Sequence, residues 1–260
     1  MTSYKDDRGF INTKINDLGI ACITFFHPSH NSFPRKQLEE LATKINDLSN
    51  NDEVKLILLE SEGDQTFCAG ASFDELLTIN TRAAGKQFFS GFALVINAIR
   101  LSKKIVVCKV QGKAIGGGMG LAAACDYCFA TENTEVRLSE LSVNLGPFVI
   151  APAVERKIGL SAFITLTLNP DEYKDAKWAK DHGLFQEVYT DLETMNNAVD
   201  EFCKRLCTYN TEVLSDLKSV FWHNTDHWDI LLIERADISG KLLLSEKTKE
   251  SLFAFKNRKQ

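Results

Sequence analysis

The chain's 260 residues suffice for one large domain or two small ones, and a hydrophobic content of 44% supports a substantial core. Thirty basic against thirty-five acidic residues give a formal charge of -5 without long runs of one sign, which argues against a nucleic-acid surface and leaves a small molecule as the default partner. Met1 to Phe10 is polar without an apolar signal core, no apolar run reaches membrane-spanning length, Asn257-Arg258-Lys259-Gln260 is no peroxisomal address, and seven cysteines set in apolar or helical stretches point to reduced thiols in a cytoplasmic protein.

In chain order, Ile11 to Lys14 and Gly19 to Phe26 read as two strands turning at Asn16-Asp17, and Val54 to Glu60 as a third. Between them Leu38, Leu41, Ile45 and Leu48 recur at helical spacing and predict a helix over Arg35 to Leu48. A second helix is predicted over Arg82 to Leu101, with Phe88, Phe92, Val95, Ile96 and Ile99 on its apolar side. Lys104 to Gln111 is then an apolar strand of the kind buried on both faces. This alternation implies right-handed crossovers and a largely parallel sheet covered by helices. After about Gly159 the pattern predicts helices only, over Glu172 to His182, Leu192 to Tyr209 and Asp226 to Lys256. No Pro/Gly/Ser linker sets them apart, and no internal repeat is visible.

Two segments look fit to present backbone amides. Thr66-Phe67-Cys68-Ala69-Gly70-Ala71-Ser72-Phe73 leads from the third strand into an apparent helix, and its small residues let a ligand approach the backbone. Gly112-Lys113-Ala114-Ile115-Gly116-Gly117-Gly118-Met119-Gly120 places three consecutive glycines before an alanine-rich helix, where free amides meet a positive dipole end. Neither is a dinucleotide fingerprint, since no G-x-G-x-x-G with its following acidic residue occurs. Two such turns on one sheet suggest convergence on one ligand oxygen.

These segments resemble the F-x-A-G-A-D and G-x-A-x-G-G-G motifs of the crotonase (enoyl-CoA hydratase/isomerase) family, in order and at the usual separation. His27-Pro28-Ser29-His30-Asn31-Ser32-Phe33, Cys125-Asp126-Tyr127, His182-Gly183-Leu184-Phe185, Leu244-Ser245-Glu246 and Phe253-Ala254-Phe255 extend the resemblance over nearly the whole chain. It implies an α/β fold: a core of ββα turns building a spiral over residues 1–190, with a C-terminal helical trimerisation region over 191–260. It also implies a homotrimer or hexamer. The resemblance assigns an oxyanion hole to the amides of Ala71 and Gly117, and acyl-CoA contacts to Ser32, Phe33, Ala69, Gly70, Ser72, Phe73, Gly116, Ser139, Val143 and Phe148. The expected partner is an acyl-CoA thioester, with CoA arriving as part of the substrate and no separate cofactor.

Val136-Arg137-Leu138-Ser139-Glu140-Leu141-Ser142-Val143-Asn144-Leu145-Gly146-Pro147 resembles the family stretch F-x-x-P-E-x-x-L-G-x-x-P and puts Glu140 at the position of a catalytic glutamate. A carboxylate in an apolar pocket has its pKa raised towards working pH and can shuttle a proton at carbon. The chain departs from the family at Gly120, where hydratases usually carry a second glutamate. Water addition is easiest with two carboxylates, whereas moving a double bond needs one proton shuttle, so isomerisation is favoured over hydration. Ser72 stands where the family has aspartate, and Phe148-Val149-Ile150-Ala151 replaces a glycine-rich turn with bulky groups that reshape the acyl pocket. The alternatives are a hydratase of a branched unsaturated acyl-CoA, and a silent member that binds acyl-CoA or RNA.

Cys125-x-x-Cys128 has metal-like spacing without a second pair, and Cys203 with Cys207 reads as a packed helical face. His27 and His30 read as loop residues near a ligand entrance, and His223 with His227 as a helix start. No metal is expected. Phe88, Phe89 and Phe92 belong either to an acyl pocket or simply to the core.

Overall fold

The computed structural model describes residues 9–257. β1 (Phe10–Ile15) and β2 (Ile20–Phe26) form an antiparallel hairpin whose turn is fixed by the Asn16 side chain, which accepts from the amides of Leu18 and Ile20 at 3.0 Å each. From β2 onward the larger sheet is parallel, in the order β1-β2-β3-β5-β7-β10, with β3 at Leu56–Ser61, β5 at Ile105–Val110, β7 at Tyr127–Thr131 and β10 at Glu187–Tyr189. A second sheet has the order β4-β6-β8-β9, with β4 at Thr66–Cys68, β6 at Lys113–Ile115, β8 at Glu135–Arg137 and β9 at Lys174–Asp175.

The two sheets arise from one repeated unit. β3 and β4 lead into α2 (Phe73–Thr78), β5 and β6 into α4 (Gly117–Ala124), and β7 and β8 into a single 3-10 turn, Glu140–Val143. Each unit lays its first strand in the larger sheet and its second in the smaller, so the chain advances as a spiral. This is the spiral that the resemblance implies, and the repetition lies in backbone path while the side chains that fill each turn differ, which is why no repeat is visible in the sequence. A consequence is that three turns end side by side beyond the carboxyl ends of β4, β6 and β8, the place where parallel sheets receive ligands.

α1 (Arg35–Ser49) and α3 (Arg82–Leu101) cover one face of the larger sheet, burying Leu38, Leu41, Ile45 and Leu48 from one and Phe88, Phe92, Val95, Ile96 and Ile99 from the other, as their spacing predicts. α5 (Ala151–Ile158), α6 (Leu160–Leu168) and α7 (Ala176–Asp181) follow. α8 (Leu192–Leu206) covers the opposite face with Met195, Val199 and Cys203 packed against Val107 and Phe129. α9 (Thr211–Phe221), α10 (Trp228–Leu242) and α11 (Glu246–Asn257) complete the chain.

The region after Gly159 is therefore not helical throughout. β9 and β10 extend the two sheets, α7 occupies only part of the helix expected over Glu172 to His182, and the helix expected over Asp226 to Lys256 is interrupted at Leu243–Ser245. The strands escaped notice because each is three residues or fewer, too short to show a period of two. α10 lies so close on α3 that a β-carbon at Gly85 would stand 2.8 Å from Gly240 Cα.

α9 is fastened to the sheet by a buried pair. Lys218 Nζ donates to Asp126 Oδ2 at 2.7 Å, with the two side chains 2% and 3% exposed. The same carboxylate accepts from the Val106 amide and from Trp222 Nε1, each at 2.7 Å, so Asp126 joins β5, the start of β7 and α9 at one point.

Candidate active site

The turn after β4 is held from below by the 27–33 segment. Asn31, at φ 54, donates from Nδ2 to the carbonyls of Glu62 and Thr66, both at 2.9 Å, and accepts from the His27 amide. The Ala69 amide donates to the His30 carbonyl, Phe33 donates to the Gly70 carbonyl, and Ser72 donates back to the Phe33 carbonyl. These bonds pass on either side of Ala71 and leave its N–H out of the pairing. Gly70 has φ +85, and a β-carbon there would lie 2.8 Å from the Ile115 carbonyl and 3.0 Å from the Gly117 nitrogen. The first amide-bearing turn thus rests directly against the second, and only glycine fits between them.

Gly117 opens α4, so its N–H is one of the amides that a helix leaves without an internal acceptor. Gly116 has φ +54, and its Cα is covered by the Glu140 carboxyl group, which a β-carbon would meet at 2.8 Å. Ala71, Gly117 and Glu140 hence converge, each within three residues of the end of its strand. Gly118 has a different reason to be glycine: a β-carbon would meet the Cys68 carbonyl at 2.2 Å.

Glu140 Oε2 is wholly buried and has no hydrogen-bond partner among the described residues. Burial pushes the Glu140 pKa up to about 7, opposed by a hydrogen bond from its own amide and by the charge of Arg137. Arg137 lies 4.4 Å above the Tyr173 ring, and Lys113 Nζ stands 4.7 Å from the same centroid. A carboxyl group that is half ionised near neutrality and faces an apolar cavity can both take and return a proton.

That cavity holds about 60 Å³ and is lined by Ala69, Gly70, Ala71, Phe73, Gly116, Gly117, Ser139, Glu140, Val143 and Phe148, all among the residues singled out from the sequence. Phe89, Phe92, Leu145, Ile150 and Ser239 are among the other residues that line it. A wider cavity of about 480 Å³ adjoins it through Ala69, Ala71, Phe73 and Ser139, and is bordered by His30, Ser32, Arg137, Tyr173, Phe255 and Lys256. Phe33 and Ser72 line neither. Phe33 packs in the core with its ring centroid 4.9 Å from that of Phe25, and Ser72 caps α2 by accepting from the Glu75 amide.

At Gly120 a β-carbon would stand 2.3 Å from Ile150 Cγ2 and 2.5 Å from Ile150 Cβ. The space beside the position where hydratases of the resembled family carry a second glutamate is thus filled by an aliphatic side chain from the segment after Pro147. Among the described residues no group of three or more His, Cys, Asp or Glu is arranged to hold a metal ion.

The enoyl-CoA hydratase/isomerase family model matches residues 16–260. The chain belongs to that family. It carries the crotonase fold, and a structure of enoyl-CoA hydratase from Bacillus halodurans superposes with a TM-score of 0.88 at 19% identity, covering 94% of this chain and 99% of that one. A short-chain-enoyl-CoA hydratase of Clostridium acetobutylicum is 26% identical over 238 residues, 91% of this chain and 90% of the relative. A peroxisomal Delta(3,5)-Delta(2,4)-dienoyl-CoA isomerase of Arabidopsis thaliana is 25% identical over 215 residues, 76% of this chain and 75% of the relative.

Sequence reasoning about the family motifs missed the contributions of α10 and of the residue that precedes β9. Ser239 reaches the inner cavity from α10, and Tyr173 borders the outer one just before β9. Both lie far along the chain from the motifs, and only the tertiary packing of α10 on α3 brings Ser239 there. The chain's own C-terminal helices border its own site: Phe255 on α11 stacks on Phe73 with centroids 5.0 Å apart, and Lys256 pairs with Asp74 at 2.6 Å.

Proposed function

We propose that this family member moves the double bond of an enoyl-CoA rather than adding water across it. The amides of Ala71 and Gly117 form an oxyanion hole for the thioester oxygen. Glu140, as carboxylate, takes a proton from C2 of a 3-enoyl-CoA, breaking that C–H bond while charge flows onto the thioester oxygen as a dienolate. The same group then returns the proton to C4, leaving a 2-enoyl-CoA of unchanged composition. Amide donors aimed at developing charge contribute about 2.7 to 4 kcal/mol each in comparable sites. Arg137 and Lys256, bordering the outer cavity, suit the phosphates of CoA. The scheme needs no metal or redox cofactor, and the seven unpaired thiols fit a reducing compartment.

The observation that carries this reading is Ile150 against Gly120, which leaves Glu140 as the acidic side chain lining the inner cavity. Incubation with 3-enoyl-CoA should yield an isobaric product with a moved double bond, identified by mass and by NMR. A product heavier by one water would establish hydration instead. Glu140→Gln should lower turnover by about 10²- to 10⁴-fold with acyl-CoA binding retained, and undiminished turnover would exclude Glu140 as the proton shuttle.

We also propose assembly as a homotrimer or a hexamer. α6 exposes Leu160, Ile164 and Leu168, and α9 exposes Val213, Leu217, Val220 and Phe221, two apolar stripes at helical spacing that other copies would cover. Sedimentation equilibrium at micromolar concentration tests it, and a monomer would refute it.

A further inference from the structure

The floor of the inner cavity is built from three large side chains, each seated on a glycine. Phe92 rests on Gly117, where a β-carbon would meet its ring at 2.4 Å; Ile150 rests on Gly120 at 2.3 Å; and Phe148 rests on Gly146 at 2.6 Å. In each case a second side chain is absent where the large one needs the room, so the backbone makes space for the bulk. What remains is about 60 Å³, under half of the ~150 Å³ in which an engineered apolar cavity holds a benzene ring. The lining around that space is mostly carbon, so length rather than polarity limits what enters.

We infer that the acyl group is short, about four or five carbons including the thioester carbon, and that Phe92, Phe148 and Ile150 set this limit. The inference rests on the acyl-CoA reading of the site but not on the reaction that Glu140 performs. Once C1 lies between the Ala71 and Gly117 amides, C2 to C4 occupy the space beside Glu140, and a longer chain runs into the Phe148 and Ile150 side chains.

Binding of saturated acyl-CoA esters tests this without any turnover. In an open apolar pocket each further buried methylene strengthens binding about fourfold, so octanoyl-CoA would bind more than a hundredfold tighter than butanoyl-CoA. Calorimetric titration of the wild-type protein should instead show octanoyl-CoA binding no tighter than butanoyl-CoA. Ile150→Ala and Phe148→Ala, made separately and checked for a cooperative melt, should each improve octanoyl-CoA relative to butanoyl-CoA by tenfold or more. A wild-type preference for octanoyl-CoA of tenfold or more overturns the inference, as does an unchanged ratio in both folded variants. Preference for butanoyl-CoA in a protein that moves no double bond leaves the length limit standing and removes the isomerase reading. Failure to bind either ester removes both.

Discussion

Glu140 combines two properties that oppose each other. In the proposed reaction its carboxyl group must ionise to take a proton from carbon, yet its burial disfavours the ion and pushes the pKa to about 7. Activity on an acyl-CoA is therefore expected to rise with pH through about 7 and then level, as a pH profile of kcat/KM would show. Stability should run the other way. Below about pH 4.5 both folded and unfolded chains are protonated at this site, and the group has no effect. Between there and about 7 the unfolded chain releases a proton that the folded chain keeps, so folding loses up to about 3 kcal/mol as pH rises. Glu140→Gln should remove that contribution, so urea unfolding of both proteins at pH 5 and pH 8 should show the variant gaining on the wild type at the higher pH. At Gly120 the decisive group is its neighbour: Gly120→Ala is expected to cost about 1 to 3 kcal/mol through collision with Ile150. Adding Ile150→Ala should recover part of that loss in thermal unfolding, and simple additivity of the two losses would show that the contact is immaterial.

At the level of elements, the groups assigned to the proposed chemistry come from equivalent places in three successive turns of the spiral. The longer strands and α1 and α3 were legible because their aliphatic periodicity spans enough residues to register. The short strands β4, β6, β8, β9 and β10 were not, since two or three residues carry no period and their pairing is decided by neighbours distant in sequence. Ala71, Gly117 and Glu140 were legible from local composition combined with family resemblance, whereas Ser239 had no local signal because α10 reaches the cavity only through its packing on α3. The Asp126 node shows the same limit. Cys125-Asp126-Tyr127 is recognisable as a motif, but its link to Lys218 and Trp222 spans roughly ninety residues. Lys218→Ala leaves the Asp126 carboxylate buried without its cation, and should cost about 3 to 5 kcal/mol in urea unfolding. Asp126→Ala/Lys218→Ala together should cost less than the sum of the single losses, because neither charge is then left stranded.

For the molecule as a whole, the free cysteines report on how it opens. Cys68, Cys108, Cys125, Cys128, Cys203 and Cys207 are buried, while Cys22 is partly exposed with its pKa pushed up to about 11 by burial and by nearby Glu60. A thiol reagent needs the thiolate and access to it, so the native protein should label slowly, and all seven sites should label at once on full unfolding. The sites also differ in location: Cys203 and Cys207 lie on or just beyond α8, while Cys108, Cys125 and Cys128 lie in or beside the central strands and α4. Peptide mapping after brief labelling in mild urea should find the α8 sites modified before the central three. Simultaneous modification would show that α8 and the sheet open as one body. The chain thus carries an intrinsic clock for its own disassembly, readable without any added fluorophore.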